Sequence, residues 1–156
     1  MHSTRNDMKQ RTRSAMVTLL NARLADALDL AAQTKQAHWN VRGANFIALH
    51  ELFDTLHGAV AGAVDEIAER AVALGGTAAG TVQTVARATT LRPYPEAISE
   101  SRAHVEALAE AFAAFGKNIR KAIDVAAKAG DAGTSDLFTG ISRDADKYLW
   151  MLEAHL

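Results

Sequence analysis

The sequence predicts an all-α chain, a four-helix bundle with one long crossover that carries a short extra helix. Three observations lead there. Alanine is abundant and the β-branched residues are scattered rather than run together, a composition that favours helix over strand. Apolar residues recur at three- and four-residue steps through four separate windows. Between the second and third windows, Gly75-Gly76 and Pro95 bracket a stretch of weak pattern. That stretch is long enough to run the length of a bundle, whereas antiparallel neighbours need only short loops.

The first helix is expected from Thr12 or Arg13 to about Asn40, with Met16, Leu20, Leu24, Ala27, Ala31, Thr34 and His38 as its inward stripe. Before it, residues 1–13 hold Arg5, Lys9, Arg11 and Arg13 against one acid, Asp7. They read as a flexible basic arm, with residues 14–156 forming the bundle. One such arm binds phosphate weakly, and many copies on one particle gain by avidity. A solubilising terminus is the alternative.

The second helix is expected from Asn45, as N-cap, to Leu74, where Gly75-Gly76 stops it. Thr77 to Thr90 is a marginal segment in which Val82 and Val85 would face inward from a short helix. Pro95 is placed to open the third long helix. Its stripe of Val105, Leu108, Phe112, Phe115, Ile119, Ala122 and Ala126 ends at Gly130. Thr134 or Ser135 would cap the fourth, whose apolar face is Phe138, Ile141, Ala145, Tyr148, Leu149 and Leu152.

Composition narrows the function. The chain has 156 residues, a formal net charge of −1 and no cysteine. A wholly basic nucleic-acid-binding body, a disulfide framework and a thiolate metal site are thereby excluded. No apolar run approaches the ~20 residues of a membrane span, and the charged start lacks the apolar centre of a secretory signal. The cytoplasm is the expected compartment.

The chemistry gathers on the second helix. At 100° per residue, His50, Asp54, Asp65 and Glu69 lie at about 0°, 40°, 60° and 100°, on one face. Imidazole and carboxylate suit iron. At ~1.5 Å rise per residue, however, Asp54 and Asp65 stand roughly 16 Å apart along the axis and cannot meet in one chain. A second copy packed antiparallel across a two-fold axis near residues 59 and 60 would bring the His50/Asp54 end of one helix to the Asp65/Glu69 end of the other. Gly58-Ala59-Val60-Ala61-Gly62, at that midpoint, would admit close approach of two backbones. His38, across the bend Val41-Arg42-Gly43-Ala44, is a plausible third ligand beside His50 and Asp54. Taken alone, the same residues also fit ordinary solvent-facing acids and histidines. A site inside each bundle is not supported: Glu-x-x-His is absent, Asp54-x-x-His57 being the nearest approach.

The stretches Thr34-Lys35-Gln36-Ala37-His38-Trp39-Asn40-Val41-Arg42-Gly43, His50-Glu51-Leu52-Phe53-Asp54, Asp65-Glu66-Ile67-Ala68-Glu69-Arg70-Ala71 and Ser142-Arg143-Asp144-Ala145-Asp146-Lys147-Tyr148-Leu149-Trp150 together resemble the Dps family, the DNA-binding proteins from starved cells or mini-ferritins. The resemblance spans essentially the whole chain. It implies a ferritin-like bundle assembled as a hollow shell of twelve chains. It also implies a two-iron ferroxidase site at a two-fold subunit interface, with His38, His50 and Asp54 from one chain and Asp65 and Glu69 from its neighbour. Trp39 would lie beside the iron and intercept oxidising equivalents. Glu69 would bridge two irons, and Asp136 and Asp144 would line an entry pore.

The implied activity is oxidation of Fe(II), with hydrogen peroxide preferred to dioxygen, storage of the ferric mineral and protection of DNA from oxidative damage. Non-specific DNA binding through Arg5, Lys9, Arg11 and Arg13, with nucleoid association, would follow where the arms are free. The alternatives are an iron-sequestering shell without DNA binding and a non-enzymatic helical scaffold. His57 is expected in a supporting or structural role, and His2, His104 and His155 are left unassigned.

Overall fold

The computed structural model describes all residues, 1–156. Five helices follow in order: α1 (Gln10–Asn40), α2 (Phe46–Ala73), α3 (Val82–Ala88), α4 (Ser101–Ala129) and α5 (Ala132–Glu153). α1 pairs with α2 and α4 with α5, while α1 also packs on α4 and α2 on α5. Contacts fix the directions. Arg13 reaches Leu74, Arg70 reaches Asp131, and Asn118 reaches Asp26. The order is up-down-down-up, and residues 74–100 carry the chain from one end of the bundle to the other.

The expected stripes form one core. Met16, Leu20, Leu24 and Leu30 of α1 meet Leu49, Phe53, Leu56 and Ile67 of α2, Leu108, Phe112 and Ile119 of α4, and Phe138 and Leu152 of α5. Burying one such side chain is worth ~1.5–3 kcal/mol, so the four amphipathic faces dictate the bundle.

The crossover is latched by polar side chains of α1. Asp26, wholly buried, accepts hydrogen bonds from the Thr90 amide at 2.8 Å and hydroxyl at 3.0 Å and pairs with Arg23 at 3.2 Å. One turn on, Asp29 accepts from the Thr89 hydroxyl at 2.7 Å, and Gln33 donates to the Arg92 carbonyl at 3.0 Å. These residues recur at three- and four-residue steps and so share one face of α1.

Several boundaries differ from the sequence expectation. α1 starts at Gln10. Asn45 precedes α2, but its side chain makes no capping bond. α4 starts at Ser101, not at Pro95. A backbone bridge between Arg42 and Glu100, and the Ser101 hydroxyl donating to the Arg42 carbonyl at 2.5 Å, hold the chain extended up to that point. α5 is capped by Asp131, whose carboxylate accepts from the Thr134 amide at 3.0 Å. Val82 does not face inward: it is 80% exposed, because α3 rests on α1 through other residues, with Val85 half-buried.

Residues 1–9 turn back over the end of α2. The His2 amide donates to the Gly75 carbonyl at 2.6 Å, and the Arg13 guanidinium donates to the carbonyls of Met8 and Leu74 at 3.1 and 3.0 Å. Gly75 has φ +85°, and a Cβ there would lie 2.9 Å from the His2 carbonyl oxygen. Only glycine lets the segment lie so close. Arg5, Lys9 and Arg11 remain exposed and enter none of the chain's ion pairs.

Candidate metal centre

His38 closes α1 and His50 lies in the second turn of α2, and the short bend between them lays one imidazole over the other. The ring centroids are 3.7 Å apart with planes inclined by 22°. His38 Nδ1 lies 2.8 Å from the His50 carbonyl oxygen, and His50 Nδ1 lies 2.9 Å from the His38 carbonyl oxygen. A carbonyl oxygen only accepts, so each Nδ1 carries the proton and each Nε2 keeps a free lone pair. That is the tautomer an Nε2-ligating histidine needs, fixed by a backbone acceptor on its other nitrogen.

Asp54 lies one turn beyond His50 and is paired with Lys35 of α1. The hydrogen bond from Lys35 is the main reason its carboxyl sits below the usual carboxylate range; the charges of Lys35, His38 and His57 act in the same direction, against a smaller desolvation effect. The carboxylate is therefore ionised and, being more than half exposed, open to a cation that displaces the lysine. Lys35 belongs to the motif around His38, yet its partnership with Asp54 was not read from the sequence. Only the packing of α1 on α2 places the two side chains together.

Asp65 and Glu69 are exposed on the same helix, eleven and fifteen residues beyond Asp54. No three His, Asp or Glu side chains converge within one chain to hold a cation. The structure brings His38, His50 and Asp54 to one end of α2 and leaves Asp65 and Glu69 at the other. Trp39, beside His38, is 68% exposed. At the helix midpoint, a Cβ built on Gly58 or on Gly62 meets nothing within 4 Å.

His57 shares this helix face, and its Nδ1 donates to the Ala31 carbonyl at 3.0 Å, tying α2 to α1. Arg70, next to Glu69, is fixed by Asp131 at 2.7 Å and by the Thr134 hydroxyl at 3.0 Å. Burial pushes the Asp131 carboxyl up. The Thr134 side chain and amide and the Arg70 charge outweigh it and leave the group below its ordinary value. Asp136 and Asp144 are both exposed on α5.

A ferritin-like domain family matches residues 17–156. The DNA protection during starvation protein of Agrobacterium fabrum is 48% identical over 155 residues, covering 99% of this chain and 96% of the relative. Among solved structures, Mycobacterium smegmatis Dps in its tetragonal form superposes with a TM-score of 0.94 at 30% identity, covering 99% of this chain and 94% of that one. DpsA14 from Streptomyces coelicolor superposes with a TM-score of 0.93 at 33% identity, covering 98% and 90%. The fold, the histidine pair and these likenesses agree, and the chain belongs to the Dps family of mini-ferritins.

Proposed function

We propose that this protein is a ferroxidase and iron store that oxidises Fe(II), preferably with hydrogen peroxide, and protects DNA by removing both reactants. The observation that carries the reading is the reciprocal His38/His50 pair, with both Nε2 lone pairs left free and an ionised Asp54 one turn further along α2. Nitrogen and carboxylate donors of this kind suit ferrous iron, and carboxylates stabilise the ferric product more than the ferrous reactant.

The site closes when a second copy packs antiparallel across α2 near residues 59 and 60. Asp65 and Glu69 of that copy then face His38, His50 and Asp54. Gly58 and Gly62 leave the space such a contact needs. Two such sites lie in each dimer, each of them a two-iron centre, and twelve chains make the shell. Two ferrous ions supply the two electrons, and solvent the two protons, that take one hydrogen peroxide to two waters, and the ferric ions pass to the cavity as mineral. Lys35 neutralises Asp54 until iron arrives. We assign to Glu69 a share in holding both irons, and to Trp39 the interception of a stray oxidising equivalent. His57 holds the α1–α2 pair in register rather than binding iron. Asp136 and Asp144 are the acids we assign to the iron entry path. The expected location is the cytoplasm, with nucleoid association where the arms reach DNA.

Asp65→Ala combined with Glu69→Ala tests the site. Assembly should persist, and the stopped-flow rate of peroxide-driven iron oxidation should fall by more than about tenfold. An unchanged rate would remove these residues from the mechanism.

A second reading, an iron-sequestering shell without DNA binding, draws on the N-terminal segment. Arg13 is committed to the carbonyls of Met8 and Leu74, which leaves Arg5, Lys9 and Arg11 as the exposed cations of the arm.

A further inference from the structure

Between α2, α4 and α5 the bundle holds an open cavity of about 220 Å³ that the chemistry above does not use. Its cause is local. Ala59 and Ala63 of α2 lie one turn apart on one face, and Gly140 of α5 lines the same space. Small residues thus stand where a core normally interdigitates large ones. A Cβ built on Gly140 would meet nothing within 4 Å. The deep side of the cavity is aromatic. Phe112 and Phe115 of α4 are buried there, and Tyr148 of α5 stands edge-on to Phe112 with ring centroids 6.4 Å apart. Two acids complete the lining, Glu66 of α2 and Asp144 of α5. Both are exposed, which puts them at the mouth, and neither enters any of the chain's ion pairs. Lys147 sets its ammonium 5.5 Å from the centroid of the Tyr148 ring but does not line the cavity.

We propose that this cavity is a binding site for an arylalkylamine, an aromatic ring on a short carbon chain that ends in an ammonium. Size, lining and charge each narrow the class. An apolar cavity of ~150 Å³ accepts benzene, so the space here has room for the ring and the short chain. Rings pack well on rings, edge to face or offset, and three aromatic side chains line the space. Removing the aromatic body from water supplies the affinity. The charge selects. Two unpaired carboxylates at a mouth bounded by apolar walls attract an ammonium more strongly than they would in open water, and they repel an anion. Tyr148 also offers the ammonium a ring, as it already does to Lys147. A bare cation would leave the aromatic lining unused, and a neutral arene would leave the acids unused. The site does not depend on the ferroxidase reading, although Asp144 is also an acid assigned to the iron entry path.

The assembled protein, stripped of metal by chelation, is titrated calorimetrically with phenethylamine at neutral pH. Saturable binding of one molecule per chain is expected. Methylammonium, which lacks the ring, should not bind. Phenethyl alcohol, which lacks the charge, and hydrocinnamate, which carries the opposite one, should bind at least about tenfold more weakly. Glu66→Gln combined with Asp144→Asn should weaken the amine by a similar factor and leave the alcohol unchanged, a separation that a merely structural role for the acids would not produce. Gly140→Leu should fill the cavity and abolish binding of both compounds, with circular dichroism and light scattering used to show that it folds and assembles. Ala63→Leu fills the space from the opposite wall and serves where Gly140→Leu does not assemble. Four outcomes overturn the proposal: no saturable binding of the amine to the assembled protein, equal binding of amine and alcohol, comparable binding of methylammonium, or amine binding that survives filling of the cavity.

Discussion

Replacing Asp131 by alanine should destabilise the protein by about 3 kcal/mol. The carboxylate does two jobs. It caps α5 through the Thr134 amide, and loss of such a cap costs ~1 kcal/mol. It also pairs with Arg70 at 2.7 Å, with 2% of the Asp131 side chain and 25% of the Arg70 side chain exposed. Breaking a fully buried pair costs ~3–5 kcal/mol; a guanidinium one-quarter in water recovers part of that, so about 2 kcal/mol is appropriate. For a chain of this size each kcal/mol moves the melting temperature by ~2–4 °C, so Asp131→Ala should melt about 6–12 °C below the parent. Circular dichroism at one protomer concentration and pH 7 is the assay, since assembly makes melting concentration-dependent. Asp131→Asn keeps the cap and loses the charge, and should recover about a third of the loss. The carboxyl is held below its ordinary value of 3.8 in the fold. Its contribution is therefore complete above pH 3.8 and is lost as pH falls through the lowered value. The gap between parent and Asp131→Ala should stay constant from pH 7 to about 5 and close below 3.8. A variant melting within about 2 °C of the parent at pH 7, or a gap that widens in acid, would refute the accounting.

Two further outcomes concern assembly and DNA. Gly62→Leu should leave the isolated protomer folded, because a Cβ there meets nothing within 4 Å, but should abolish assembly. Light scattering should then fall from roughly 200 kDa, twelve chains of 16.7 kDa, towards a single chain, and an unchanged mass would place the two-fold contact elsewhere. Arg5→Ala, Lys9→Ala and Arg11→Ala together should remove salt-sensitive retardation of DNA in a gel shift while sparing iron oxidation; if the parent shows no retardation at low salt, the arm has no such role.

The four long helices were legible because each carries an unbroken apolar stripe, as Val105, Leu108, Phe112 and Phe115 show. The proposed metal-centre residues could be located for a related reason: a helix face is fixed by counting, and His50, Asp54, Asp65 and Glu69 could be placed on one face and separated along it without coordinates. What escaped depends on contacts distant in sequence. Pro95 carries a strong local signal for a helix start, yet the bridge from Glu100 to Arg42 overrides it. Asp131 was passed over in favour of Thr134 and Ser135, although an acid three residues before Thr134 is itself a capping pattern. His104 was left unassigned by the sequence reading, and nothing local announced that it is buried with the Tyr94 hydroxyl against its Nδ1. Likewise the arm's charge was visible and its path was not, because Arg13 is held by the Leu74 carbonyl, 61 residues away.

The separation of the acids along α2 has a consequence for timing. Folding of one chain finishes the histidine pair and fixes its tautomers, but under the proposed arrangement a lone protomer owns only half a catalyst. Under the proposed arrangement the missing half arrives with the neighbour that helps to enclose the storage space. Ferrous iron then meets a working oxidation site only where a container for the product is being built. On that proposal a newly made or dissociated chain is chemically silent, and the oligomer itself is the safety catch.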